Sequence, residues 1–350
     1  MLTRRSFLAA SLCGGAHTIF GGNSFASEAG SFRWEFLKEG DSIDVIAPSS
    51  PVDNPQERYI KIKKYFSNTP FGVRIPTDLI EPTTPLEEAN TIQKRAKFVY
   101  EAFESDSKAI WAIGGGGWGV EMLDELRRYP KPTKVKPILG YSDVTALHIF
   151  ANQYLGFPSI HSVVLGINGD ISPGWNENGI ESTLNILSGL TPEVTYNFTP
   201  LNEAALNIQH LPAKIVGGNS LLVSALNGTT HYTLETHNKF VFLESIADLP
   251  GQFSRKLMGL TYSRAIQDCA GVIFGDVIQE GGKPNSPEVQ AQFDYIIERF
   301  ANYYAPKKPV LSAQNLFGHG PINLPLPLNT RAIFFNKGNS VGAIVSANRA

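Results

Sequence analysis

Strand-like and helix-like segments alternate through the first half of this 350-residue chain, and that order admits few folds. Residues 44–47 read as an apolar strand that stops at Pro48-Ser-Ser-Pro51. Residues 57–66 carry Tyr59, Ile60, Tyr65 and Phe66 at helical spacing, 73–75 form a short strand, and 91–103 place Ile92, Ala96, Val99 and Phe103 on one side of a second helix. Residues 109–113 are a strand and 120–126 open a helix. A further strand runs from Pro137 into Gly140-Tyr141-Ser142-Asp143, and a helix follows. This β-α-β-α succession predicts an α/β fold with a mainly parallel sheet and helices on both faces. Ligands of such folds bind beyond the C-terminal strand ends, where Ser142 and the glycine loop at 114–117 both fall.

Periodicity weakens across 191–212, which carries prolines at 192, 200 and 212 and reads as a linker. The sequence thus divides into 27–190 and a second α/β domain at 213–350. The second part has strands around 214–216, 240–244, 272–274, 310–311 and 332–335, and helices around 255–262 and 289–300. It is the smaller of the two and mixed in strand direction.

Residues 1–26 stand outside the fold. Thr3-Arg-Arg-Ser-Phe-Leu8 precedes a small and apolar stretch, and Ser24-Phe-Ala26 offers a small-x-small cleavage site. The paired arginines point to a twin-arginine export signal and a periplasmic location. Cys13 follows a poor lipoprotein site, and no later stretch has the length of an apolar membrane span. Removal of the signal leaves Cys269 alone, so no intramolecular disulfide forms. A net charge of −2 gives no electrostatic basis for nucleic-acid binding. No metal site is expected, because H-E-x-x-H and paired-cysteine ligand spacings are missing from the sequence.

Two readings of Ser142 stand together. A serine on a tight strand-to-helix turn is held out of the sheet as an accessible nucleophile, although Val144 occupies the last glycine of the full G-x-S-x-G elbow. A serine at that place also serves as a helix N-cap. Gly114-Gly-Gly-Gly-Trp-Gly119 formally satisfies G-x-G-x-x-G. It does not follow the first strand, and no acidic residue ends the next one, so it argues poorly for a nicotinamide or flavin oxidoreductase. Its glycines suit close backbone approach to a substrate, with an amide there and that of Asp143 forming an oxyanion hole. A nucleophilic serine needs a base. His319 sits between glycines in a proline-rich loop, whereas His148 falls inside the helix after Ser142 and His161 at a strand end with a pocket role open. Glu244 closes an apolar strand, where it either orients a base or pairs with Arg255.

Taken together, these segments resemble the LD-carboxypeptidase family of serine peptidases, the group of muramoyl-tetrapeptide carboxypeptidases and microcin-C immunity peptidases. The markers are Gly40-Asp-Ser-Ile-Asp-Val-Ile-Ala-Pro48, the glycine loop with Trp118-Gly119, Gly140-Tyr-Ser-Asp143 and Gly217-Gly-Asn-Ser220. Phe242-Leu-Glu244, Gly275-Asp276 and Gly318-His-Gly320 with Asn323-Leu-Pro-Leu-Pro327 complete the series. The resemblance implies a flavodoxin-like N-terminal domain, a smaller C-terminal α/β domain and an active site at their junction. It implies a Ser142–Glu244–His319 triad without cofactor, an oxyanion hole from Asp143 and the Gly115, Gly116, Gly117 loop, and a murein peptide substrate. Trp118, His161 and Arg255 are candidate substrate contacts, and the resemblance favours a homodimer. Hydrolysis of peptide-nucleotide antibiotics and non-catalytic muropeptide binding are the competing readings. Two departures stand out: Gly115 replaces an arginine found in many members, and the export signal contrasts with the cytoplasmic members of murein recycling.

Overall fold

A computed structural model describes residues 32–166, 177–279 and 284–349; residues 1–26, expected to be an export signal, lie outside them. The first half contains β1 (Ser42–Ile46), α1 (Pro55–Phe66), β2 (Gly72–Arg74), α2 (Ile92–Glu104), β3 (Ala109–Ala112), α3 (Leu123–Leu126), β4 (Ile138–Gly140), α4 (Thr145–Ile149), β5 (Ser159–His161) and α5 (Glu177–Leu187). The second half contains β6 (Glu193–Pro200), α6 (Glu203–Leu206), β7 (His210–Asn219), α7 (Ser220–Leu226), β8 (Lys239–Ile246), α8 (Pro250–Tyr262), α9 (Arg264–Gln267), β9 (Gly271–Ile278), α10 (Pro287–Arg299), β10 (Val310–Ser312), β11 (Leu326–Leu328), β12 (Arg331–Asn336) and β13 (Val341–Ser346).

The expected parallel sheet is present, in the order β11-β5-β4-β3-β1-β2. Its first five strands in sequence run parallel, and β11 from the second half is added antiparallel against β5. The second half is a closed seven-stranded barrel, β10-β6-β13-β12-β7-β8-β9. It is mixed in direction: β7, β8, β9 and β10 run parallel and the other pairings are antiparallel. The segment expected to be a linker therefore carries a barrel strand, since β6 pairs with β13 and β10. Its prolines misled the periodicity. Pro200 has a partner only on β10, and Pro212 only on β12, so neither removes a needed ladder hydrogen bond.

Three apolar clusters organise the molecule. One lies on one face of the sheet around Trp34, Trp111, Leu139 and Ile160. A second fills the barrel with Phe198, Phe240, Phe242, Phe317 and Phe334. The third is shared: Val144, Leu147 and Phe150 after the Ser142 turn join Val241, Leu243, Phe253 and Phe274 of the barrel and its helices. Along β8, Phe240 and Phe242 face the barrel interior while Val241 and Leu243 face the shared core, so the strand's period of two assigns each to its side. Glu244 continues the interior face to the C-terminal end of the strand.

A candidate active site at the domain junction

Ser142 follows β4 with φ = 61°, a left-handed conformation that a side chain with a Cβ adopts at a cost of about 1–3 kcal/mol. The turn is tight because Gly140 has no side chain: a Cβ there would lie 2.9 Å from Val144 Cγ2. The valine that breaks the full elbow motif is thus accommodated from the other side. Tyr141 stands at the N-cap, and no side-chain capping bond is made there, so the capping reading of Ser142 falls away. A 3-10 turn over Ser142–Val144 runs into α4.

The glycine loop crosses directly over the serine. A Cβ on Gly115 would sit 3.3 Å from Ser142 Oγ and 3.7 Å from the Asp143 nitrogen. Gly116 and Gly117 are exposed beside it, and Trp118 is half-buried. The loop opens on a 3-10 turn and the four-residue α3 rather than a long helix, which leaves no strong helix N-terminus for a dinucleotide pyrophosphate.

The barrel brings the candidate acid and base. Glu244 is fully buried, and its Oε2 lies 2.7 Å from His319 Nδ1. Its Oε1 accepts from Asn219 Nδ2 at 3.2 Å, and Asn219 Oδ1 accepts from the Leu221 amide at 3.0 Å, capping α7. Glu244 therefore does not pair with Arg255, which is exposed on α8 and makes no ion pair among the described residues. Asn219 also ties the two halves, since its amide donates to Thr145 Oγ1 at 2.9 Å. The approach depends on Gly218, at φ = 143°, where a Cβ would lie 2.5 Å from that hydroxyl oxygen. The Tyr141 ring packs on His319 at 4.6 Å between centroids, so the imidazole lies against the residue preceding the candidate nucleophile. Burial pushes the Tyr141 phenol above its ordinary range, and the Glu244 charge adds to this, so the phenol stays protonated.

The loop bearing His319 is held from β9. Asp276 Oδ1 accepts the Asn315 amide at 2.7 Å, and Oδ2 accepts the Gly320 amide at 3.1 Å. Burial raises the Asp276 pKa, and these two amides oppose the shift. Asp276→Asn keeps the volume but turns one acceptor into a donor facing an amide. We expect it to cost about 1–3 kcal/mol of stability in urea unfolding and to lower turnover by loosening the His319 loop.

His161 is placed differently from its expected pocket role. It is fully buried, with its ring against the edge of Phe242 at 5.1 Å and 6.3 Å from the His148 ring, leaving no surface for a substrate. Burial pulls its pKa well below the ordinary value, and the His148 and His319 charges act in the same direction. His148 is also fully buried and is held at about 4, with its Nε2 2.9 Å from Gly140 O. Sequence reading assigned no roles to Asn219, Asp276, Ser49 or Arg95, although the first two fall inside glycine-bearing motifs that were visible. Among the described residues no helix is long and apolar enough to cross a membrane, and no cluster of His, Cys, Asp and Glu is arranged to hold a metal.

Residues 43–162 match the family model of the LD-carboxypeptidase N-terminal domain, and residues 213–334 match that of the LD-carboxypeptidase C-terminal domain. A Rickettsia conorii protein named as a carboxypeptidase is 30% identical over 83% of this chain and 87% of its own length. A Bacillus subtilis protein named as a murein peptide carboxypeptidase is 24% identical over 86% of this chain and 91% of its own. Among solved structures, muramoyltetrapeptide carboxypeptidase from Oxalobacter formigenes superposes with a TM-score of 0.70 at 18% identity, covering 87% of this chain and 98% of that one. An MccF-like protein from Bacillus anthracis gives a TM-score of 0.70 at 21% identity, covering 89% and 98%.

Proposed function

This chain belongs to the LD-carboxypeptidase family, and on that premise we propose that it is a serine carboxypeptidase that releases the terminal D-alanine of murein tetrapeptides by hydrolysing an L–D amide bond. The observation that carries this reading is the buried Glu244–His319 pair, 2.7 Å apart, packed against the turn that presents Ser142 in a left-handed conformation.

In this mechanism Ser142 Oγ attacks the carbonyl carbon of the L-centre while His319 Nε2 takes the hydroxyl proton. Glu244 accepts from Nδ1–H, fixes the tautomer and stabilises the imidazolium. The amides of Asp143 and the glycine loop receive the oxyanion, a contribution of about 3–4 kcal/mol per donor. His319 then gives its proton to the leaving D-alanine nitrogen, and water repeats the sequence on the acyl-enzyme. The export signal supports a periplasmic site of action, where murein and its released peptides are at hand.

Mass spectrometry of a disaccharide tetrapeptide incubated with wild type and Ser142→Ala tests the proposal. Loss of one D-alanine that depends on Ser142 is the expected result. Binding without turnover would sink it in favour of a muropeptide-binding protein, and cleavage of an aminoacyl-sulfamoyl adenylate alone would redirect it to antibiotic inactivation.

The pH profile offers a second check. With His148 held at about 4 and His161 well below its ordinary value, both stay neutral near pH 7. The acid limb of kcat/KM near neutral pH then carries no proton from either of them and falls with a single-proton slope. A two-proton slope would bring a second group into the mechanism.

A further inference from the structure

An oxyanion hole works when its donors are in place before charge develops. Five of the six residues in 114–119 are glycine, so this loop has little of its own to hold a fixed shape. Buried polar groups from three other parts of the chain hold it instead. Asp143 Oδ2 accepts the Gly119 amide at 2.6 Å. The same oxygen accepts the hydroxyl of Ser49 at 2.5 Å, and Ser49 Oγ accepts the Trp118 amide at 3.0 Å. From α2, Arg95 Nη1 donates to Trp118 O at 2.7 Å and to Pro48 O at 2.9 Å. Its Nε donates to Asn90 O at 3.0 Å, and its Nη2 is paired with Glu88. Ser49, Arg95 and Asp143 are exposed by 0%, 1% and 3%. The Ser50 amide donates to Gly115 O at 3.1 Å, closing the loop onto the segment after β1.

The amides are used selectively. Those of Trp118 and Gly119 are consumed by Ser49 and Asp143. Among the described residues, those of Gly115, Gly116, Gly117 and Asp143 have no protein acceptor. Gly115 is the loop residue set against Ser142 Oγ. The network therefore tethers the far end of the loop and leaves donors at the end that meets the nucleophile. A buried guanidinium directed to three backbone carbonyls, one of them in the glycine loop, is a costly way to gain stability and an effective way to fix a backbone.

We infer that Ser49, Arg95 and the Asp143 carboxylate are positioning residues that set the glycine-loop amide for the oxyanion. The inference rests on the serine mechanism proposed above. It gives Asp143 two separate tasks: the backbone amide donates to the oxyanion, while the side chain holds the opposing loop. Displacement of a reacting-site group by about 1 Å costs up to about 100-fold in rate, so a slack loop is felt in turnover rather than in ground-state binding.

The test is a double-mutant cycle on the disaccharide tetrapeptide with Ser49→Ala, Asp143→Ala and the double variant, measuring kcat, KM and the urea unfolding midpoint. Each single change is expected to lower kcat by about 10- to 100-fold and to leave KM within about threefold. The double variant is expected to lose less than the product of the two, because both changes break one shared hydrogen bond. Losses that multiply in full, or that track the unfolding midpoint, overturn the positioning role. Ser49→Cys, a near-isosteric change to a weak donor and weak acceptor, carries the kcat-against-KM comparison by itself if the alanine variants fail to fold. Wild-type kcat in both singles, in a protein that Ser142→Ala silences, overturns the inference and leaves the serine mechanism standing. Turnover that survives Ser142→Ala overturns the mechanism itself.

Discussion

Ser142→Ala is expected to lower kcat on a murein tetrapeptide by about five to six orders of magnitude, as removal of a serine nucleophile does elsewhere. Stability tells a second story at the same position. Alanine keeps a Cβ at φ = 61° and so keeps the backbone strain, whereas glycine removes it. Ser142→Gly should therefore be equally inactive yet more stable than Ser142→Ala by about 1 kcal/mol in urea unfolding. Equal stabilities would mean that the turn is set by its surroundings without strain. A gain would show that the protein carries a strained residue at the point where a hydroxyl must be presented.

Glu244→Gln is expected to reduce kcat by about 10⁴-fold with a modest effect on KM. The reason lies in the fixed direction of the neighbouring amide. Asn219 Oδ1 is engaged by the Leu221 amide, so Asn219 Nδ2 must remain a donor toward residue 244. A glutamine there has to turn its carbonyl oxygen to Asn219 and its NH₂ to His319. The imidazole then carries its proton on Nε2, the nitrogen that should receive the Ser142 proton. Asn219→Ala together with Glu244→Gln frees the glutamine to flip, and should recover part of the loss. Without that recovery, the defect comes from lost charge rather than from the wrong tautomer. Kinetics of the single and double variants separate the two.

Much of this arrangement was legible in the sequence. The strands and helices read up to the helix after Ser142 lie where their periodicity put them, because each is decided by local pattern and neighbouring turn residues, whereas α5 was not read. Ser142, Glu244 and His319 stood out because each is a polar residue of reactive type at the edge of an apolar or glycine-bounded segment. Closure of the barrel was not legible. It depends on β6 meeting β13 and β10, pairings between distant segments that leave no local mark. The prolines of β6 and β11 hid those strands further, and Pro212 hid the first part of β7, each lying where one side of its strand needs no donor. The partner of Glu244 was open for a similar reason. A strand-end carboxylate looks the same in sequence whether it meets an arginine on the next helix or a histidine from a distant loop. The grip on the glycine loop was hidden too, because Ser49, Arg95 and Asp143 converge from separate elements and only the fold makes them neighbours.

The late strand β11 sets an order of events during synthesis. The sheet that holds Ser142 is finished on one side only when Leu326–Leu328 lies against Ser159–His161. Until the ribosome has made nearly the whole chain, that side of the sheet is an open edge of unpaired backbone groups, the kind that recruits other chains. The half that carries Ser142 is thus not a unit that can be released early or borrowed whole. A truncated protein ending before β6 would be prone to associate with itself through the β5 edge. Completion of the last part of the chain is what turns a hazardous surface into a paired margin of the sheet that carries Ser142.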